Sequence, residues 1–431
     1  MVDEPGYLTV AEGFEPMNQK KINDHRLLTG ITLRDLLSFG RDTPPLELQN
    51  LNVLIGPNAV GKSNLIEAIS LMRASPVPAG SSSLDLRGVV RRGGGAQEWI
   101  WKGANVHHST IGLSFNYSKL GLNHQIQFEA DPGFSLRSEI ITGRPLDKLG
   151  IFFMSLEGVK GLEQFDGWFP GIHEQVESLN KNGLRGGVPA SLQGKLAVGE
   201  SVLSQLRDPD QYPEITYLAE SYEKIRIYRD WTFGRNTVFR QPQQADMRND
   251  RLEEDFSNLG LFLSRLSKTP KARAAILERL QDLYDGVTDF QIFVEGGTVQ
   301  VFFTEGEFTV PASRLSDGTL RYLCLLAILC DPSPPPLICI EEPELGLHPD
   351  IMPKLADLLV EASERTQLIV TTHSDILIDA MSHRPESVIV CEKHDGKTEM
   401  NRLKREELKD WLAKYSLGEL WTRGEIGGTR W

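Results

Sequence analysis

The chain has 431 residues, 40% of them hydrophobic and 24% charged, and a formal net charge of -13; this is a globular composition with room for two or three packed lobes. No apolar run approaches the roughly 18 to 20 residues needed to cross a bilayer, and the N-terminal MVDEPGYLTVAEGFEP lacks the basic start and apolar middle of a secretory signal. A cytoplasmic protein with no membrane contact is therefore expected, and the acidic balance means that any nucleic-acid contact needs a local basic patch.

Along the chain, ITLRDLLSFG, LELQNLNVLIG, STIGLSFNYS and HQIQFEA alternate apolar and polar residues, which predicts an antiparallel β-rich layer near the N-terminal end. GSSS at 80–83, RRGGG at 91–95 and DPSPPPL at 331–337 read as loops. From about residue 160 the patterns lengthen to helical ones, PEITYLAESYEKIRIYRD and DFSNLGLFLSRLSKTPKARAAILERLQDLYDG. A hairpin follows in DFQIFVEGGTVQVFFTEGEFTV, with Gly296-Gly297 as its turn. No sustained heptad interrupts the middle region, so no long coiled-coil arm is expected. Cys324, Cys330, Cys339 and Cys391 lie in apolar runs without a CxxC spacing and read as reduced core residues.

Four stretches carry chemistry. LNVLI at 51–55 is an apolar strand that runs into Gly56-Pro-Asn-Ala-Val-Gly61-Lys62-Ser63, a G-x-x-x-x-G-K-[ST] loop in strand-to-helix context. Gly56 and Gly61 let the backbone curl so that N–H groups point at a phosphate, and the following helix presents its positive end. Lys62 would neutralise β- and γ-phosphates and Ser63 would ligate Mg2+. LICIEEPE at 337–344 is a buried strand ending in carboxylates: Glu341 is placed to bind Mg2+, and Glu342 to act as general base on water. QLIVTTHS brings His373 to a strand's carboxyl end, where an imidazole can sense a γ-phosphate. In SRLSDGTLRYLCLLAIL, Ser316 is a good N-cap, Asp317 suits the first turn and Gly318 permits close approach; this is either a well-capped core helix or an anion site whose phosphate comes from elsewhere.

The order GPNAVGKS, LSDGT, LICIEEPE, TTHS resembles the ATP-binding cassette ATPases, SDGT standing where their signature motif is more often SGGQ. GPNAVGKSN, IEEPELGLHP and VTTHS are similar to the RecF/SMC-like ATPases, including the predicted ATPases related to the overcoming-lysogenisation (OLD) family, over residues 31–74 and 313–390. The resemblance implies an α/β P-loop ATPase head with a β-rich first lobe at 1–150, a mostly helical insert at 151–285 and a second lobe at 286–431. It implies ATP and Mg2+ as ligands, with Gly56, Asn58, Gly61, Lys62, Ser63 and Asn64 as the phosphate loop, Ser316 and Gly318 as the signature, and Glu341 and Glu342 as the Walker B pair. His373 would be the switch histidine and Leu345-Gly346-Leu347-His348-Pro349 the D-loop. In such ATPases the signature of one protomer closes on the ATP of another, so a head-to-tail homodimer is implied.

Two departures stand out: Asp317 replaces a glycine, bringing a carboxylate near a γ-phosphate, and Glu341 replaces an aspartate; slow hydrolysis is expected. Gln97, Gln164 and Gln241 are the candidates for the Q-loop. With 57 residues after Ser374 and no DxD cluster among them, a Toprim nuclease domain is not expected in this chain, and the long distance from phosphate loop to signature disfavours a transporter cassette. Two functions remain: a sensor ATPase that controls an effector protein in prokaryotic defence, or an ATP-gated clamp on DNA or RNA. The clamp would use Arg91, Arg92 or the run KIRIYRDWTFGRN, where Lys224, Arg226, Arg229 and Arg235 interleave with aromatics. The tail LGELWTRGEIGGTRW, with Trp421 and Trp431, either packs on its own lobe or docks a partner.

Overall fold

Alternating apolar residues begin the fold as β1 (Leu28–Arg34), which pairs antiparallel with β2 (Leu46–Glu47). The computed structural model describes residues 24–428 apart from 104–105, 118–119, 131–132, 145–149, 157–195, 198, 233 and 236. Next comes β3 (Leu51–Ile55), buried at every position. A strand apolar on both faces belongs in a parallel sheet covered on both sides, so LELQNLNVLIG divides: its start stays with the antiparallel layer and LNVLI leaves it. Four strands then extend the layer, β4 (His108–Tyr117), β5 (Leu120–Glu129), β6 (Ser135–Arg144) and β7 (Gly150–Leu156), in the order β2-β1-β4-β5-β6-β7.

The helix Pro213–Lys224 is shorter than the helical pattern of its sequence. Ile225 turns to extended backbone and β8 (Arg226–Tyr228) follows, because Ile225, Ile227 and Tyr228 favour a pleated, buried setting over a helix. Beyond the short β9 (Gln243–Gln244), the second helical pattern forms two helices, Leu259–Ser267 and Pro270–Gln281. The hairpin is present as β10 (Val287–Glu295) and β11 (Thr298–Glu305), joined through Gly296 and Gly297 at φ 57° and 78° and extended by β12 (Phe308–Pro311). Positive φ at both loop residues is the two-residue turn that matches strand twist.

The chain then enters the helix Asp317–Leu329 and lays down β13 (Leu337–Glu341), β14 (Gln367–Thr371), β15 (Val388–His394) and β16 (Lys397–Arg402). These join β3 and β8 in a second sheet ordered β16-β15-β3-β14-β13-β8, parallel except at β16. Sheet membership thus cuts across the spans 1–150, 151–285 and 286–431: β7 continues the antiparallel layer past residue 150, and β8 lends a strand to the parallel sheet.

One core packs the antiparallel layer against the helix Lys62–Arg73, through residues such as Ile31, Phe115, Ile126, Leu65 and Ile69. The other lies on the far face of the parallel sheet, where Val53, Ile340 and Val370 meet Leu323, Leu326 and Leu355. The buried Gln367 side chain ties the two sheets by accepting from the Leu28 N–H at 2.8 Å and donating to its carbonyl at 2.7 Å. Cys324, Cys339 and Cys391 are buried, and all four cysteines are free thiols; burial pushes Cys330, Cys339 and Cys391 up to about 12, which leaves them inert. Among the described residues no helix is long and apolar enough to cross a membrane.

Candidate functional site

Because β3, β13 and β14 are parallel neighbours, their carboxyl ends open on one edge of the sheet. That edge is where α/β sheets bind ligands, and it gathers the phosphate loop, the EEPE turn and the Thr-Thr-His turn.

Gly56 and Gly61 have φ 145° and 107°, and a Cβ on either would collide, with the Cys391 carbonyl in one case and with the Ser38 and Thr398 hydroxyls in the other. Glycine is thus required twice by the curl of the loop. Ser38 also accepts from Asn64 Nδ2 at 2.7 Å, and Thr398 donates to the Val60 carbonyl at 2.6 Å, so β1's exit loop and β16 buttress the cradle. The tail passes alongside: the Gly428 carbonyl accepts from Trp421 Nε1 at 3.0 Å, and a Cβ there would lie 3.6 Å from Gly56 Cα. Trp421 is thereby folded onto its own lobe, while Trp431 lies outside the described residues.

Lys62 is buried and donates to the Gly56 and Pro57 carbonyls at 2.8 and 3.0 Å. Burial lowers its pKa to about 8, against the pull of Glu342 and Glu344. Ser63 and Asn58 are exposed at the mouth of the loop.

Glu341 ends β13 largely buried, with Oε1 inaccessible and lacking a hydrogen-bond partner; burial raises its pKa, partly offset by Arg229. Glu342 follows at φ 45°, a strained backbone for a residue with a Cβ. It is held there by its own N–H on the Thr371 carbonyl at 3.0 Å and by Arg321, which donates to its carbonyl. Its Oε1 lies 3.3 Å from His373 Nε2, so the candidate base and the candidate sensor are direct neighbours.

Glu344, a residue with no role expected for it, joins the two turns. Its Oε1 accepts from Thr372 Oγ1 and from the His373 N–H, both at 2.7 Å, and burial raises its pKa. The signal was present in EEPE as a third carboxylate, but nothing in the spacing separates a ligand from a strut.

The segment after β8 also reaches this edge. Arg229 pairs with Glu67 of the phosphate-loop helix, Trp231 Nε1 donates to the Glu341 carbonyl at 2.8 Å, and the Arg321 guanidinium lies 4.2 Å over the Trp231 ring. Arg226 is buried and donates to the Glu223 and Ile225 carbonyls. The run KIRIYRDWTFGRN is therefore not a solvated cationic face: Lys224 pairs with Glu220, two arginines are spent internally, and Arg235 is exposed. Gln97 donates to the Ala130 carbonyl at 3.2 Å, Gln241 is exposed, and Gln164 lies outside the described residues.

The helix Asp317–Leu329 begins as its sequence predicts. Ser316 caps it by accepting from the Thr319 N–H at 3.0 Å. A Cβ on Gly318 would sit 2.8 Å from the Gly346 carbonyl, so the signature and the LGLHP turn touch. Asp317 is paired with Arg240 at 2.5 Å.

The donor set fits a magnesium nucleotide. Ser63 and Glu341 offer hard oxygens, one of them a buried atom with no protein partner, and Mg2+ is commonly held by few protein ligands plus substrate phosphates. Among the described residues no group of three or more His, Cys, Asp or Glu is placed to hold a metal.

This fold and site define an ABC-type P-loop ATPase head of the SMC/RecF-like kind. The chain belongs to the family described as "AAA domain, putative AbiEii toxin, Type IV TA system", whose model matches residues 51–158 and 201–379. It is similar to "Old nuclease" of Escherichia phage P2, at 27% identity over an alignment of 174 residues that covers 34% of this chain and 29% of that protein. The match thus spans less than a third of Old nuclease. Among solved structures it resembles the "Crystal structure of the SmcHead bound to the C-winged helix domain of ScpA", with a TM-score of 0.55 and 14% identity over 89% of this chain and 99% of that one. At that identity the likeness is one of fold.

Proposed function

We propose that this protein is a slow ATP hydrolase, that two copies close head-to-tail around two ATP molecules, and that closure controls a separate effector protein in prokaryotic genome defence or repair. One observation carries the reading: a single sheet edge brings together the Lys62 ammonium, the unpartnered Glu341 Oε1, and Glu342 with His373 3.3 Å away.

Lys62 would exchange the Gly56 and Pro57 carbonyls for β- and γ-phosphate oxygens. Ser63 and Glu341 would hold Mg2+, which supplies neutralisation of phosphate charge when bound. Glu342, fixed by its strained backbone, would take the proton of the attacking water. His373, whose backbone N–H is held by Glu344, would face the γ-phosphate, so that its presence is registered beside the base. Gly56, Asn58, Gly61 and Asn64 would shape the loop, and Ser316 and Gly318 would close on the nucleotide of the other copy.

The effector part draws support from the kinship with Old nuclease and from an SMC head that holds a ScpA domain. The clamp on DNA or RNA has less support: Arg91, Arg92 and Arg235 are exposed, but Arg226 and Arg229 are committed to internal partners.

The test is Glu342→Gln. This variant is expected to bind ATP normally, stall in turnover and accumulate a dimer in light scattering with ATP, and to retain a protein that Lys62→Ala does not. Normal hydrolysis would remove Glu342 as the base. A gel shift on DNA and RNA, with and without ATP at two salt concentrations, checks the clamp, because phosphate contacts must weaken as salt rises.

A further inference from the structure

The departure at Asp317 has a structural counterpart that the sequence does not reveal. The Asp317 carboxylate stands in the first turn of a 13-residue helix, where it suits the helix dipole but would repel a phosphate approaching the same N–H groups. Arg240, at the end of the short turn Val238–Arg240, reaches across from the segment that follows β8. Its Nη2 meets Asp317 Oδ1 at 2.5 Å and its Nη1 donates to the Ser313 carbonyl at 2.7 Å. The guanidinium is therefore held at two points, one on each side of Ser316. Arg240 is mostly covered, with its side chain 14% exposed, whereas Asp317 keeps 41% of its own. This partnership holds the Asp317 carboxyl below its usual range, and the charge stands where an incoming phosphate would meet it.

We propose that Arg240 is a positioning residue for the signature: it turns the Asp317 carboxylate aside and cancels its charge, so that the capped helix start accepts the γ-phosphate of a partner copy's ATP. The proposal rests on the head-to-tail reading above and adds to it the residue that makes an acidic signature workable. It also gives the segment after β8 a second role. Through Arg229, Trp231 and Arg240 that segment touches the phosphate-loop helix, the Walker B strand and the signature in turn.

The experiment uses the full chain with Glu342→Gln as the parent, and follows dimer formation by light scattering against ATP concentration while binding of a fluorescent ATP analogue to the monomer is measured separately. Arg240→Gln is expected to raise the ATP concentration for half-dimerisation about tenfold, equivalent to about 1.4 kcal/mol, with monomer binding unchanged. Adding Asp317→Asn to Arg240→Gln is expected to restore the parent midpoint to within about twofold, because the uncompensated charge is gone. A merely structural role for Arg240 would not be rescued in this way. The proposal is overturned if Arg240→Gln dimerises like the parent, or if the double variant stays as weak as Arg240→Gln. If the parent itself forms no dimer with ATP, the head-to-tail reading falls and this proposal with it, an outcome distinct from the other two. Thermal unfolding of each variant separates misfolding from a lost anion site, and Asp317→Asn alone, expected to dimerise at least as well as the parent, shows that the helix start is intact.

Discussion

Two glutamates in this molecule each carry buried carboxylate oxygen and differ entirely in what surrounds it. Glu139, on β6 of the antiparallel layer, is 1% exposed. It accepts from Ser201 Oγ at 2.6 Å and the Val202 N–H at 2.7 Å, and lies 2.9 Å from His124 Nε2, whose other ring nitrogen meets the Tyr222 hydroxyl at 2.8 Å. Glu341, at the edge of the parallel sheet, leaves one buried oxygen with no hydrogen-bond partner. A polar network with every member satisfied fixes a core, while a buried acceptor left open costs stability unless something arrives to use it. Buried oxygen is common to both, and the number of hydrogen-bond partners tells them apart; Glu344 stands between them, its Oε1 accepting two hydrogen bonds and its buried Oε2 none.

The comparison can be broken in several ways. Lys62→Ala should cost the nucleotide edge most, about a thousandfold or more in ATP affinity, equivalent to about 4 kcal/mol; unchanged binding in calorimetry would refute the phosphate-loop assignment. Glu139→Ala should do the opposite, removing about 3–5 kcal/mol of stability in denaturant unfolding by stranding His124 and Ser201, with ATP affinity unmoved; a loss of affinity without loss of stability would make that network functional after all. Glu342→Gln should slow hydrolysis by about a hundredfold or more, read as phosphate release, with stability near that of the parent.

The smallest effect is that of pH. Burial lowers Lys62 to about 8 in the free protein, and bound phosphate favours its charged form, so binding above that pH must take up a proton. Affinity should be level below pH 8 and fall by at most about tenfold per unit above it, with proton uptake visible as a dependence of binding enthalpy on the buffer. A flat profile from pH 7 to pH 10 would sink the assignment of that proton to Lys62.

How much of this was legible beforehand follows from the range of each interaction. The phosphate loop, the capped signature helix, the Gly-Gly hairpin and the strand ends carrying Glu342 and His373 are written within a few residues of sequence, and each lies where its local pattern places it. What could not be read depends on partners far away in the chain: Arg229 with Glu67 is separated by 162 positions and Arg240 with Asp317 by 77. The end of the helical pattern PEITYLAESYEKIRIYRD departs from helix after Lys224 for the same reason, since the parallel sheet that recruits Arg226–Tyr228 as β8 is completed only by β13. Glu344 was visible as a residue and not as a role, because whether a carboxylate faces a ligand or a backbone N–H is decided by the turn it packs against.

Trp231 gives the site an optical readout of its own. Its indole N–H is tied to the carbonyl of Glu341, a guanidinium lies over its face, and Phe256 stacks at 5.2 Å. Under the proposed function, any rearrangement of the strand ending in Glu341 on binding a magnesium nucleotide would alter that enclosure, so the intrinsic fluorescence of the unlabelled protein is expected to follow nucleotide loading, and Trp231→Phe identifies the part of the signal that comes from there.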